Sequence, residues 1–450
     1  MKNKTSFKCS HCGYQSVKWL GCCPECKEWE SFRETMPSPA KSSSLQGSSI
    51  QPQTMISLNS VTIKNQQRML SDIAEWDRVI GNGLMPGSLL ILTGDPGIGK
   101  STLLLQISNH LAKKYSVYYF STEESLQQVK VRADRLHCTA ENLLFSDQAD
   151  LESIIIITQA AKPAIVIIDS IQNCYASNSN AFPGTITQLR ESVFQLMRLA
   201  KDHDITIIMS GHITKEGTIA GPKTLEHMVD GVFYLQGEDR WDLRVLRSVK
   251  NRFGTINELG FFNMHESGLQ ELPNINEHLL NDISYSPGSA LISVVEGSRP
   301  LLLELQTLCI ESKLTMPQRV ISGLDHKQVV LIAAILEKYV QVRLSAQDIF
   351  AKISGGFKVK DSSADLGIAL ALLSSYFQQP LPQKSLILGE ISLTGQIKPI
   401  SHINVYVHEA EKFGIKQLLV AKNQKLEPTP CTILRFSNVY ELLTLFTETR

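Results

Sequence analysis

The sequence predicts an α/β protein built on a largely parallel sheet, with a small cysteine-rich module before it and a second α/β block after it. From about Leu58 to Pro273, short continuous apolar runs alternate with amphipathic helical patterns, and the alternation resumes after Pro273. Continuous apolar strands indicate a sheet that is covered on both faces. We therefore predict a cysteine module at 1–35, a flexible linker of mostly small and polar residues at 36–57, a central domain at 58–273 and a terminal domain at 274–450.

The bulk composition is that of an ordinary globular chain. Hydrophobic residues make up 43% of the 450 residues and charged residues 20%. Lys plus Arg and Asp plus Glu both total 44, so net charge argues neither for nor against a nucleic-acid partner. No apolar run approaches the length of a membrane span, and the first residues lack the apolar region of a secretory signal. We expect a cytoplasmic protein with no membrane partner.

Two cysteine pairs near the start have the spacing of a zinc knuckle. The pairs are Cys9-x-x-Cys12 and Cys23-x-x-Cys26, which together supply the four thiolates that tetrahedral zinc requires. Cys22 competes for the third position, but Cys23 gives the C-x-x-C spacing and precedes a proline. A redox-active pair is the alternative. Because four sulfurs leave no open coordination position, we expect a structural or partner-docking role.

The central domain is predicted to contain buried strands followed by helices. The helix that begins at Ser101 places Leu104, Ile107 and Leu111 on one face, at helical spacing. The strands are expected at Ser88–Thr93, Val117–Ser121, Ala164–Ile168, Thr206–Ser210 and Gly231–Leu235. In the terminal block we expect strands at 290–295, 349–353, 385–388 and 417–420, and helices at 327–339, 364–376 and 405–413.

A phosphate-binding loop stands between the first of these strands and its helix. Backbone N–H groups of such a loop cradle the phosphates, its lysine reaches the β and γ phosphates, and its hydroxyl ligates Mg²⁺. The segment matches G-x-x-x-x-G-K-[ST], and we expect it to bind ATP and Mg²⁺ through Gly94, Asp95, Pro96, Gly97, Ile98, Gly99, Lys100, Ser101 and Thr102.

Carboxylates at the ends of two other strands complete the expected chemistry. Asp169 ends the apolar strand I-V-I-I-D and can hold Mg²⁺ together with Ser101. The alternative is that Asp169 only caps the next helix. Glu123 follows the neighbouring strand, where a general base would orient the attacking water. Glu124 is its competitor.

The order of these motifs resembles the bacterial RadA (Sms) family. The four-cysteine knuckle is followed by G-D-P-G-I-G-K-S, S-T-E-E-S, I-V-I-I-D-S, then K-N-R-F-G at 250–254 and a terminal α/β block. The resemblance implies a RecA-like P-loop ATPase that is stimulated by DNA and promotes branch migration of RecA-mediated strand exchange. It also implies a homo-hexameric ring related to DnaB-type motors, with single-stranded and branched DNA and the RecA recombinase as partners.

The K-N-R-F-G segment is open to two functional hypotheses and one without a function. Lys250 and Arg252 are two residues apart and would project to one side of an extended segment. The spacing resembles the trans-acting pair of DnaB-type motors, which stabilises charge on the neighbour's γ phosphate. Contact with DNA is the second possibility, and a solvated basic turn the third. The resemblance also implies a γ-phosphate sensor at His212 and a DNA-facing loop with Lys215 and Lys223, for which a plain surface loop is the alternative.

The terminal block resembles the proteolytic domain of Lon. The segments 360–367 and 389–395 parallel those around the Lon nucleophile and its lysine. In this alignment the nucleophile position falls on Ala364 and the lysine position on Asn404, so a Ser–Lys dyad is lost. Ser362 and Ser363 are the only nearby substitutes. We expect a proteolytically inactive domain that supports the ring and offers DNA a basic surface through Lys358 and Lys360. An ATP-dependent protease and a KaiC-type signalling ATPase are the rival functions.

Overall fold

The computed structural model describes residues 6–11, 15–16, 18–19, 21–35, 57, 59, 67–177, 185–212, 225–237, 242–256, 258–281, 283–314 and 316–447. The chain divides into two compact units, Met1–Asn65 and Gln66–Arg450. Apart from residue 57, the predicted linker lies outside the described residues. Among the helices of the described ranges, none is long and apolar enough to cross a membrane.

In its described part, the first unit is a small antiparallel sheet whose buried cluster consists of cysteines. Its strands are β1 (Ser6–Cys9), β2 (Gln15–Ser16) and β3 (Phe32–Thr35), in the order β2-β1-β3. Cys9 and Cys23 are buried, whereas Trp19 and Trp29 are exposed. Because the described residues of this unit bury little apolar surface besides the cysteines, a metal centre is the expected source of stability.

The second unit begins with the predicted α/β domain. Its elements in chain order are α1 (Ala74–Val79), β4 (Leu89–Gly94), α2 (Lys100–Ala112), β5 (Val117–Ser121), α3 (Leu126–Arg135), β6 (Leu143–Ser146), α4 (Leu151–Ala161), β7 (Ile165–Asp169), α5 (Ile186–His203), β8 (Thr206–His212), β9 (Gly231–Gly237), β10 (Leu243–Asn251), β11 (Leu259–His265) and β12 (Gly268–Glu271). All five predicted strands are present, with ends shifted by two residues at most.

These strands form one nine-stranded sheet in the order β12-β11-β10-β9-β4-β8-β7-β5-β6. Six neighbouring strands, β9, β4, β8, β7, β5 and β6, run parallel, as predicted from their continuous apolar character. One apolar cluster lies on each face, one built around α2 and the other around α5. The carboxyl ends of β4, β5, β7 and β8 therefore meet at one edge of the sheet, which we call the carboxyl edge.

The sheet continues beyond β9 as an antiparallel ribbon that was not predicted from the sequence. Strand β10 pairs with β9 and β11, and β11 pairs with β12. Because β10 runs back against β9, its residue Arg244 lies opposite Gly237 and its residue Asn251 lies opposite Gly231. The K-N-R-F-G segment is thereby carried to the amino ends of the parallel strands.

The terminal domain contains a second, mixed sheet. Its elements are α6 (Ile275–Asn281), β13 (Ser289–Glu296), β14 (Arg299–Glu311), β15 (Arg319–Ser322), α7 (His326–Val340), β16 (Gln347–Ile353), α8 (Asp365–Phe377), β17 (Ser385–Leu388), β18 (Glu390–Ile391), β19 (Ile397–Lys398), α9 (Ile403–Lys412), β20 (Gln417–Ala421), β21 (Thr432–Phe436) and α10 (Thr444–Thr447). The seven-stranded order is β15-β16-β14-β13-β17-β20-β21, and β18 pairs with β19. The strands and helices predicted for this block are all found, whereas β14, β15, β18, β19, β21, α6 and α10 were not predicted.

The terminal domain shares a core with the antiparallel ribbon. One apolar cluster includes Leu243 and Phe261 of the ribbon together with Ile292 and Leu303 of the terminal sheet. Two ion pairs lie along this contact between the central and terminal domains, which we call the seam. Arg299 Nη2 lies 2.7 Å from Glu75 Oε1, and Arg247 Nη1 lies 2.9 Å from Glu296 Oε2. The two halves of this unit are therefore packed against each other and not merely tethered.

Candidate active site and metal centre

The phosphate-binding loop joins β4 to α2 at the carboxyl edge. Gly94 has φ +154°, and a β-carbon there would collide with the carbonyl oxygen of Leu235. Gly99 has φ +111°, in the left-handed region, and a β-carbon there would lie 2.6 Å from Met264 Cε. These two positions therefore require glycine, and they let the loop turn tightly into the first residues of α2, whose N–H groups face the site.

Lys100 is buried inside this loop. Its Nζ donates to the carbonyl oxygens of Gly94 at 3.0 Å and Asp95 at 2.9 Å. Burial lowers the pKa of Lys100, while the negative charges of Asp169 and Glu123 act in the opposite direction. The ammonium group is therefore held close to both carboxylates on which the predicted chemistry depends.

Asp169 is fixed at the end of β7 by two hydroxyl groups. Tyr119 Oη donates to Asp169 Oδ2 at 2.7 Å, and Ser210 Oγ donates to Asp169 Oδ1. Burial and the carboxylate of Asp169 raise the pKa of Tyr119 well above its usual value, so the phenol stays a proton donor. Asp169 is 7% exposed and lines the cavity beside Ser101, where a divalent cation would lie between them.

Glu123 and Glu124 have different surroundings. Glu123 and Glu124 both line the cavity. Glu124 accepts two hydrogen bonds of 2.7 Å from the Arg132 guanidinium group. Such a bidentate pair ties up both carboxylate oxygens. Glu123 instead lies within electrostatic reach of Lys100. The assignment of Glu123, with Glu124 as its competitor, to the orientation of a water molecule stays a prediction.

The cavity enclosed by these residues has a volume of about 240 Å³. Its lining combines loop amides, one ammonium group, one hydroxyl pair and three carboxylates, a set that suits a phosphate chain with a divalent cation. The residues that line it are Gly97, Gly99, Lys100, Ser101, Thr102, Glu123, Glu124, Arg132 and Asp169.

Lys250 and Arg252 lie at the other end of the sheet. Arg252 Nη1 contacts Asp230 Oδ1 at 3.2 Å, and the backbone N–H of Asp230 donates to the carbonyl of Leu89 at the start of β4. The phosphate-binding loop follows Gly94, at the end of the same strand. With a rise of about 3.3 Å per residue, the two ends of β4 are roughly 17 Å apart. Arg252 therefore lies far from the phosphate-binding loop of its own chain.

Lys250 is engaged with the backbone next to Arg252. Its Nζ donates to the carbonyl oxygens of Glu226 and Val229. Burial and the neighbouring charge of Arg252 lower the pKa of Lys250. The Arg252 side chain is 57% exposed and the more accessible of the two cations to a partner.

The other predicted contacts with nucleotide and DNA have mixed outcomes. The backbone of His212 pairs with Gly94 at the carboxyl edge, which is where a γ-phosphate sensor is expected. Lys215 and Lys223 lie outside the described residues. Lys358 and Lys360 alternate with buried residues and line a cleft of about 520 Å³ that also contains Asp95 of the phosphate-binding loop.

The Lon-like positions carry no catalytic dyad. Ala364 is fully buried immediately before α8, and Asn404 lies in the first turn of α9, where its side chain donates to Glu427 Oε1 at 2.8 Å. Ser362 Oγ donates to Glu390 Oε2 at 3.3 Å, and Ser363 is buried.

Three of the four predicted zinc ligands converge in the first unit. The sulfur atoms of Cys9, Cys23 and Cys26 lie within 4.8 Å of one another, and Cys9 Sγ is 3.7 Å from Cys26 Sγ. Tetrahedral zinc with bonds of about 2.3 Å separates its sulfurs by roughly 3.8 Å, so the cluster fits the metal. Cys22 Sγ turns away toward the carbonyl oxygen of Lys27. Cys12 lies outside the described residues.

Sequence reasoning missed the residues that hold the site residues in place. Tyr119 and Ser210 fix Asp169, Arg132 holds Glu124, and Asp230 holds Arg252. Each partner comes from a different element, so no motif spacing connects them. Only their place in the sheet could have indicated Tyr119 and Ser210 as partners of Asp169, because both belong to predicted strands next to β7.

Three protein-family models match separate parts of the chain. Residues 7–34 match a rubredoxin metal binding domain, residues 67–218 match an AAA domain, and residues 317–424 match the subunit ChlI of Mg-chelatase. The zinc-ribbon match covers the cysteine cluster, and the ATPase match covers the phosphate-binding loop, Glu123 and Asp169.

Curated relatives match over almost the whole length. The chain is 42% identical over 426 residues to DNA repair protein RadA of Halalkalibacterium halodurans, covering 93% of each chain. It is 41% identical over 450 residues to DNA repair protein RadA of Bacillus subtilis, covering 98% of each. Among solved structures, the RadB recombinase matches 45% of this chain at 23% identity with a TM-score of 0.37.

Proposed function

The chain belongs to the RadA family of DNA repair proteins, and on that premise we propose that it is a DNA-dependent ATPase that drives branch migration of recombination intermediates as a hexameric ring. The family and its matched domains make the chain an ATPase of DNA repair with a zinc ribbon. The distribution of charged residues over the sheet supports the proposal of a ring motor.

We assign the chemical roles at the carboxyl edge as follows. The loop from Gly94 to Thr102 holds the phosphates of ATP, and Lys100 leaves its carbonyl partners to neutralise the β and γ phosphates. Ser101 and Asp169 hold Mg²⁺, which supplies charge neutralisation on the phosphates when bound. Glu123 orients the attacking water, because Glu124 is occupied by Arg132.

The proposed ring is inferred from one observation, namely that Arg252 and the phosphate-binding loop lie at opposite ends of β4. Because β4, which is roughly 17 Å long, separates Arg252 from the phosphate-binding loop of its own chain, Arg252 would stabilise transition-state charge on the ATP of a second copy. Stacking copies head to tail brings the amino end of one sheet against the carboxyl edge of the next. Such a heterologous contact closes into a ring when the rotation between copies closes. Lys250 is placed beside Arg252 in the same arrangement.

DNA contacts are assigned to lysines that the ATP site does not use. Lys215 and Lys223 belong to the segment that follows β8, whose carboxyl end lies beside the phosphate-binding loop. Lys358 and Lys360 share a cleft with Asp95, so DNA bound there would touch the nucleotide site directly. Phosphate contacts by lysine are not specific for sequence, which suits a motor that acts on any recombination intermediate.

The zinc ribbon serves as a structural or docking module. Cys12 is the proposed fourth ligand beside Cys9, Cys23 and Cys26, and the RecA recombinase is the partner expected for a protein with this role. Proteolysis is not part of the proposal, since alanine and asparagine occupy the positions of the Lon nucleophile and lysine.

ATP turnover with and without single-stranded DNA tests the proposal directly. We expect DNA to raise the turnover number of the wild-type protein and to leave Lys100→Ala inactive. Turnover that is equal with and without DNA, in protein shown to bind the oligonucleotide, would argue for the signalling ATPase instead.

A further inference from the structure

We infer that Asp230 is a positioning residue that holds Arg252 in place for the ATP of the neighbouring subunit. This inference rests on the proposed trans-acting role of Arg252. Asp230 immediately precedes β9, at the amino ends of the parallel strands and opposite to the carboxyl edge.

The carboxylate of Asp230 is buried, and both of its oxygens accept hydrogen bonds. It is 4% exposed, and its Oδ2 accepts the backbone N–H of Leu89 at 3.0 Å and Lys201 Nζ at 2.8 Å. Its Oδ1 accepts Arg252 Nη1 at 3.2 Å. A buried carboxylate that accepts several charged and backbone donors has little freedom to move, so it is a rigid reference point.

Backbone hydrogen bonds tie the same two residues together. The N–H of Arg252 donates to the carbonyl of Asp230 at 3.0 Å, and the N–H of Asp230 donates to Leu89 at 2.8 Å. Arg252 is therefore held at both its backbone and its side chain by one residue, which is itself held on β4. A guanidinium group carries five N–H donors, and one bond to Asp230 fixes its direction while 57% of the side chain faces solvent.

Lys250 holds the turn that leads into Asp230. Its Nζ donates to the carbonyl oxygens of Glu226 and Val229 in that turn. Both cations of the K-N-R-F-G segment therefore contact the chain at Asp230 or just before it.

The competing explanation is that Asp230 only stabilises β4, and through it the ATP site of its own subunit. Both explanations predict that Asp230→Asn loses DNA-stimulated turnover, which we expect to fall on the order of tenfold to a hundredfold when Arg252 is misplaced. They differ in which subunit carries the defect. A defect in the donated cation and a defect in the receiving site are separated by mixing subunits.

The experiment mixes inactive variants of the full-length chain in pairs and measures DNA-stimulated ATP turnover. Asp230→Asn mixed with Glu123→Gln should recover activity, because some interfaces pair an intact Glu123 with an Arg252 held by an intact Asp230. Asp230→Asn mixed with Arg252→Ala should not recover, because every donated cation is then defective. The reverse pattern, with recovery only in the Arg252→Ala mixture, would overturn the inference and place the defect in the variant's own ATP site.

Two controls keep the result interpretable. Lys201→Met removes the other cation from the same carboxylate, and turnover should change by less than about fivefold because the Lys201 side chain is 47% exposed. Equal loss in Lys201→Met would show that Asp230 acts through general stability. Failure of Arg252→Ala to complement Glu123→Gln, with subunit exchange confirmed, would reject the trans-acting cation itself and not only the role of Asp230. If Asp230→Asn does not fold, Asp230→Glu keeps the charge and moves Arg252 by one methylene, and it enters the same mixtures.

Discussion

Arg252 and Lys100 lie at opposite ends of strand β4 of one chain. Arg252 is bound to Asp230, which pairs with Leu89 at the start of the strand, whereas Lys100 follows the loop that begins at Gly94. In the proposed mechanism both cations act on the same γ phosphate, so they must come from different copies of the chain. This separation links the fold of one subunit to the need for a ring.

Replacing Lys100 with alanine should abolish ATP turnover. The change removes the only loop cation that reaches the phosphates, and it removes little core area, because the lysine contacts backbone carbonyls. Thermal unfolding should therefore stay close to that of the wild type. Lys113→Ala, an exposed lysine just after the same helix, is the matched control and should keep its turnover. Near-wild-type hydrolysis in Lys100→Ala would refute the assignment of the nucleotide site.

Glu123→Gln and Glu124→Gln should differ sharply. Loss of a general base typically costs about 10²–10⁴-fold in turnover, and we expect a loss of this size for Glu123→Gln. Glu124→Gln loses a partly exposed ion pair with Arg132 and should keep most of its turnover while nucleotide binding weakens modestly. Single-turnover kinetics with both variants gives the comparison, and a larger loss in Glu124→Gln would reverse the assignment.

The sequence was sufficient for the carboxyl edge because each of its residues ends a strand or begins a helix. Lys100, Glu123 and Asp169 could each be located from a motif and an apolar run, and the topology then brought them together. The support for these residues could not be predicted in the same way. Asp230 and Arg252 are joined only because β10 turns back along β9, and an antiparallel ribbon of this kind has no motif that fixes its register.

Purified protein should contain about one zinc ion per chain. Cys23→Ser should lose the metal, and Cys22→Ser should keep it, because only the Cys23 sulfur lies in the cluster with Cys9 and Cys26. Metal analysis after exhaustive dialysis measures the content of each variant. Zinc lost in Cys22→Ser and retained in Cys23→Ser would reverse the choice of ligand.

Arg299→Ala should destabilise the seam between the central and terminal domains. It removes a cation that donates two hydrogen bonds to Glu75, whose side chain is 3% exposed, and leaves Arg78 and the backbone N–H of Phe261 as partners of that carboxylate. We expect a loss of roughly 1–3 kcal/mol in the free energy of unfolding.

Urea denaturation of Arg299→Ala and of a matched control measures this loss. Lys412→Ala breaks an ion pair whose lysine is 69% exposed, and it should cost less than about 1 kcal/mol. Equal midpoints for both variants would mean that the seam contributes nothing to stability. No sequence pattern predicts this contact, because its two residues are 224 positions apart and belong to different domains.

Mixing two inactive variants shows whether Arg252 of one subunit completes the ATP site of the next. Arg252→Ala and Glu123→Gln should each lack DNA-stimulated turnover while they still bind nucleotide. When the two are mixed and subunit exchange is confirmed, some interfaces join an intact Glu123 to an intact Arg252. Turnover should then partly return, with a maximum at an intermediate mixing ratio. Turnover that stays at the level of the separate variants at every ratio would refute the trans-acting role of Arg252.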